Sequence, residues 1–129
     1  MTKVTYFGFA LGDSMFSGDV KICRQSLTIE QVKTEIAQGI TSCCNPSHGP
    51  TIRAMRSRFG IDVMIPSLPP QVALHPGDSV IVMGARGLPR MMDRHEYTEE
   101  EVAKASFTFS KYTVEDFSLT TDLRHINDG

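Results

Sequence analysis

Pro76-Gly77-Asp78-Ser79-Val80-Ile81-Val82-Met83 is the stretch on which the fold turns. Pro76-Gly77 marks a turn, and Ser79 to Met83 is an unbroken apolar run of strand length. A strand with one wet face alternates apolar and polar residues. An unbroken run is covered on both faces, which predicts a central, buried strand of a sheet. Val4 to Leu11 holds the β-branched and aromatic residues of a first strand, and Val20 to Cys23 those of a short second one. Gly12-Asp13-Ser14 and Ser17-Gly18-Asp19 read as the turns between them.

Helix signals fill the intervals. Thr28 can cap the backbone N–H of Gln31 while Gln31 bonds back, the reciprocal capping pattern. Ile29, Val32, Ile36 and Ile40 follow at near-helical spacing, and Gly39 suits the stop. A second helix runs from about Thr51 to Phe59, with Pro50 in its first turn, Gly60 at its end and an Ile52, Met55, Phe59 stripe. Ile61 to Ile65 reads as another strand, and Pro66 to Pro70 as a rigid extended segment. Ala85 to Arg90 reads as a loop. Thr98 with Glu101 opens a third helix, and Phe107 to Glu115 alternates like a final strand. The expectation is an α+β domain over residues 1–117, built on a single mixed sheet of about five strands with about three helices. A polar tail follows over 118–129. The helices from Thr28 and Thr51 should pack on one sheet face through Ile29, Val32, Ile36, Met55 and Phe59.

Composition excludes several classes. The 129 residues suit one domain, and 40% of them are hydrophobic, enough for a core and too few for a membrane protein. No apolar run approaches the ~20 residues of a spanning helix. The N-terminus lacks the ordered parts of a signal peptide, which predicts a cytoplasmic protein with no membrane partner. The three cysteines, Cys23, Cys43 and Cys44, make a poor disulfide framework and have no zinc-ligand spacing. A net charge of −2 argues against long nucleic acid as a partner. The charge is uneven, however. Arg53, Arg56, Arg58, Arg86, Arg90 and Arg94 crowd the middle, which permits a basic pocket for a small anion.

The candidate site is Asn45-Pro46-Ser47-His48-Gly49-Pro50-Thr51, leading into a helix that carries Arg53, Arg56 and Arg58. A helix N-terminus presents unpaired N–H groups and a partial positive charge, so it attracts anions. An imidazole there is placed to act on a bound phosphate. A loop histidine before a surface helix with solvated arginines is the plain alternative. A thiol nucleophile at Cys43 or Cys44, paired with His48, is another.

Taken in order along residues 1 to 115, these features resemble the viral ring-nuclease family, small archaeal-virus and phage proteins that act as type III anti-CRISPRs. The resemblance lies in the Gly8 to Met15 segment, the helix from Thr28 to Gly39, and the Ser42 to Ile52 segment around His48. It continues in Phe59-Gly60-Ile61, in Gly77-Asp78 before the apolar strand, in Arg86-Gly87-Leu88-Pro89-Arg90, and in Thr98-Glu99-Glu100-Glu101. The motifs are short; their order and spacing carry the likeness. It implies a homodimer that holds cyclic tetra-adenylate across its two-fold axis and cleaves it without a metal or other cofactor. A ribose 2′-hydroxyl attacks the neighbouring phosphorus, and His48 falls where the family's catalytic histidine protonates the departing 5′-oxygen. Arg53, Arg56, Arg86, Arg90, Gly8, Leu11, Ser47 and Thr51 are the expected substrate-binding residues.

The departures are specific. Arg90 stands where the family has a glutamate, Met91 replaces the glycine after it, and the loop before Thr98 is about three residues longer. Gly87 takes the place of an arginine, with Arg86 beside it, and Gly8 takes that of an asparagine. Loss of the glutamate predicts slower cleavage, with Glu96 a candidate substitute. Arg90 would favour holding over turnover. A non-catalytic dimer that sequesters a cyclic nucleotide is therefore the second expectation.

Overall fold

In the computed structural model, which describes residues 3–44, 48–68, 70–87 and 98–115, Thr28 does what its spacing from Gln31 predicts. Its Oγ1 accepts from the Gln31 N–H at 3.1 Å, and Gln31 Oε1 accepts from the Thr28 N–H at 2.8 Å. Helix α1 (Ile29–Gln38) starts there and stops at Gly39, whose φ of +110° few other residues adopt. Thr98 and Glu101 repeat the exchange at the start of α3 (Glu99–Lys104). Helix α2 (Gly49–Phe59) ends on a left-handed Gly60.

Among the described residues five strands form one sheet: β1 (Thr5–Gly8), β2 (Ile22–Leu27), β3 (Thr41–Ser42), β4 (Ser79–Arg86) and β5 (Ser106–Val114), in the order β2-β5-β4-β1-β3. β1 runs parallel to β3 and β4, and β5 runs antiparallel to both β4 and β2. The sheet is thus mixed and the domain is α+β, as expected. β4 is its central member, and Val80 and Ile81 are fully buried. Alternation along the strands divides two cores. Phe7, Ile81, Met83 and Phe109 face one side and meet Val32 of α1 with Ile52 and Met55 of α2; Ile29, Ile36 and Phe59 pack against that cluster. Both helices therefore share one face. Val80 and Val114 face the other side and are covered by Val72, Leu74 and the Leu11 to Val20 segment.

Several boundaries differ from the sequence expectation. The first strand leaves the sheet at Gly8 rather than Leu11, and a single 3-10 turn follows at Asp13–Met15. β2 lies later, at Ile22–Leu27, because its pairing with β5 selects the register: Ile22 meets Val114 and Leu27 meets Phe109. β4 runs on through Arg86, three residues past Met83. Ile61 to Ile65 is not a strand. Ile61 and Val63 are buried and Asp62 and Met64 exposed, so the period-two pattern is real, but among the described residues no neighbouring strand pairs with it. β3 has two residues, too few for any periodicity to announce. The tail over 118–129 lies outside the described residues.

Asp78 ties the sheet's start together. Its carboxylate accepts the N–H of Val4 at 2.9 Å and that of His75 at 3.0 Å, while the Ser79 N–H donates to the Val4 carbonyl at 3.0 Å. The Gly-Asp turn before the apolar strand is thus the clamp that holds the first strand beside it.

Candidate functional site

The carboxyl ends of β1, β3 and β4 point the same way because the three strands are parallel. Ligands of such sheets bind beyond those ends. Among the described residues two clefts open toward that end of the sheet. The first, of about 330 Å³, is lined by Phe9 and Ala10 after β1, Ser14 and Met15 of the 3-10 turn, Cys43 after β3, His48, and Pro70, Gln71 and Val72.

His48 is the N-cap of α2, and its side chain makes no capping hydrogen bond. Its ring lies 4.3 Å from that of Phe9 at a 43° tilt. Burial against these neighbours lowers its pKa below the ordinary value of 6.5. Without an anion the imidazole is therefore held neutral near pH 7, able to accept a proton or hydrogen-bond rather than donate as an imidazolium. A bound phosphate would push the pKa up again.

Gly49 opens the helix and is buried. A Cβ there would stand 3.0 Å from Arg53 Nη1, so the Arg53 guanidinium folds back over the first turn, against Gly49. Thr51 is half-buried in the same turn. Gly8 plays a matching part on the strand side: a Cβ would stand 2.7 Å from Cys43 Sγ. The glycine lets the end of β1 approach Cys43, whose thiol donates to the Phe7 carbonyl at 3.2 Å. Burial raises the pKa of both Cys43 and Cys44, so neither is poised as a thiolate.

The structure thus brings His48, Arg53, Thr51 and Gly8 to one end of the sheet. Leu11 packs half-buried in the core opposite the helices. Arg56 lies two turns along α2, exposed and 3.9 Å from Asp62, away from His48. Arg58 is a structural residue. Its guanidinium lies over the rings of Phe59 and Phe107 and donates to the carbonyls of Val102 and Ala105, closing the end of α3. Arg86 ends β4 and lines a second, larger cleft of about 640 Å³, which shares no lining residue with the first among the described residues. Ser47 and Arg90 lie outside the described residues. Phe9, Ser14 and Gln71 were not among the expected site residues. Phe9 stands in an alternating run and is indistinguishable there from a core residue, and Gln71 comes near His48 only through the path of the 61–78 segment. Among the described residues no group of three potential metal ligands forms, and no helix is long and apolar enough to cross a membrane.

No known family's sequence profile matches the chain, and no curated protein sequence matches it. Among solved structures it is similar to B116 of Sulfolobus turreted icosahedral virus. The TM-score is 0.62 at 15% identity, over 85% of this chain and 98% of that one. At that identity the likeness is one of fold. The arrangement of sheet and helices described above is one that a Sulfolobus virus protein also uses.

Proposed function

We propose that the chain is a metal-independent ring nuclease acting on cyclic tetra-adenylate, and so a suppressor of type III CRISPR signalling. The observation that carries the reading is His48 at the open N-terminus of α2, inside a cleft at the carboxyl ends of β1 and β3, with the Arg53 fork folded over the same turn. The N–H groups of that turn and Arg53 hold a phosphate. The ribose 2′-oxygen forms a bond to phosphorus and loses its proton to water. The bond to the 5′-oxygen breaks, and protonated His48 delivers a proton to that oxygen. The products are a 2′,3′-cyclic phosphate end and a 5′-hydroxyl end.

A cleft of about 330 Å³ is at the small end of ligand sites, which run from about 300 to 1,000 Å³. It takes one part of a four-nucleotide ring. The rest falls to a second copy, and a homodimer with the ring on its two-fold presents equivalent bonds to equivalent histidines. The lowered His48 pKa favours the second reading, a dimer that binds and sequesters the ring without cutting it. Incubation with labelled cyclic tetra-adenylate in chelator, followed by product separation, distinguishes them. Linear products with a cyclic phosphate end support the nuclease; a retained but intact ring supports sequestration. Failure to bind the ring at all rejects both.

A further inference from the structure

We infer that the second cleft is a binding site for a short linear phosphodiester chain, gripped at two points by Arg24 and Arg86. The cleft lies at the end of the sheet where β4 stops and β5 starts, beside the start of α1, and β2, β5 and β4 present Arg24, Ser26, Ser110, Thr108, Ser106 and Arg86 on the strand positions opposite the helix-side core. Arg24, Ser26, Arg86, Ser106 and Thr108 are exposed there among the described residues. In a chain of net charge −2, two cations and a row of hydroxyls line it among the described residues, and no carboxylate is among those lining residues.

Arg24 is already aimed. Its Nε donates to Tyr112 Oη at 3.1 Å and its Nη2 to Ser110 Oγ at 3.0 Å, with the guanidinium over the Tyr112 ring. Both partners are neutral, so they orient the charge without cancelling it. The fork's remaining donors are left for a ligand. Neither Arg24 nor Arg86 pairs with a carboxylate among the described residues.

The register sets the ligand's length. The Arg24 fork sits at Ser110, and Arg86 stands opposite Ser106. Four residues of extended strand span about 13 Å. One phosphate or a diphosphate is too short to meet both arginines; phosphates separated by sugars can. The Tyr112 face is occupied by Arg24, Phe109 is buried, and the Phe107 ring is already packed by Arg58 and Phe59, so recognition falls on the sugar-phosphate backbone. A second copy laid on this patch about a two-fold would oppose arginine to arginine, which argues for a small anion rather than for a protein face.

The test uses a fluorescently labelled linear tri-adenylate and the intact protein, read by anisotropy. Two phosphate contacts on a single strand give a slope of about −1.4 in log affinity against log salt. Arg24→Ala should weaken binding about tenfold and bring the slope to about −0.7; Arg86→Ala should do the same. Arg24→Lys, which keeps the charge and loses the fork, should fall between. Tri-uridylate should bind within about threefold of tri-adenylate, since the sugar-phosphate chain is what is read. Arg53→Ala, which removes the phosphate grip proposed for the first cleft, should leave this binding unchanged, so a failure of the ring-cleavage reading does not touch the result. No binding at millimolar protein, or full binding by a folded Arg24→Ala protein, overturns the proposal. Equal loss in Arg53→Ala places the trinucleotide in the other cleft and overturns it too.

Discussion

The ring of Phe9 lies against His48, and that contact governs what the histidine can do. It removes water from one side of the imidazole and so disfavours the charged form. A general acid must be charged before it acts. Cleavage at low ring concentration should therefore rise as pH falls from about 8 toward 6 and below, since the free protein's His48 titrates under 6.5. The sign is opposite for stability. A histidine with a depressed native pKa takes up its proton more readily when unfolded, so its contribution is present above the unfolded value and fades as pH drops through it. His48→Ala should abolish the pH dependence of cleavage and lower turnover by about 10²–10⁴, with ring binding retained. Turnover equal to the parent's would remove His48 from the mechanism. Gly8 makes a second point at this level. Gly8→Ala forces its new methyl onto Cys43 Sγ and should cost about 1–3 kcal/mol in urea unfolding. Cys43→Ala in the same chain should return most of that loss. If the two changes add without rescue, the close approach is not what requires the glycine.

Among the elements, the turn leading into β4 does the most work per residue. Asp78 is 5% exposed and satisfies two backbone N–H groups, one of them at the head of the first strand. Asp78→Ala leaves both donors without their acceptor, which should lower stability by on the order of 3 kcal/mol. Protection of the β1 amides against hydrogen exchange should fall further than that of α1. Equal loss across both elements would show that the carboxylate supports the whole domain rather than the strand it holds. α3 shows a different device: a short helix of six residues is closed at one end by the Thr98–Glu101 exchange and at the other by Arg58 from α2. Helices this short need such outside partners.

For the whole molecule, the parallel strands bring their carboxyl ends together, and both clefts open there. The ring-nuclease proposal needs two copies, since the cleft at His48 takes only part of a four-nucleotide ring. Light scattering at micromolar concentration should return twice the chain's 14.3 kDa. A monomer with full cleavage would remove the shared-site mechanism while leaving His48's role open to the substitution above.

How much of this was legible in the chain depends on the range of the cause. Both capping exchanges, the Gly39 and Gly60 stops, the apolar faces of α1 and α2 and the buried run of β4 were all readable, because each depends on residues within a few positions of one another. His48 at a helix entrance was readable for the same reason, and so were Thr51 and Arg53 in its first turns. The register of β2, the two-residue β3 and the unpaired Ile61 to Ile65 were not. Periodicity shows that a segment is extended and half-buried, but a strand exists only when another strand offers its hydrogen bonds, and that partner lies up to 92 residues away in the Ile22–Val114 pair. The same holds for function. Nothing local joins Arg24 to Ser110, Tyr112 and Arg86, or Gln71 to His48; the folded sheet puts them together because strands distant in sequence lie only about 4.8 Å apart in space.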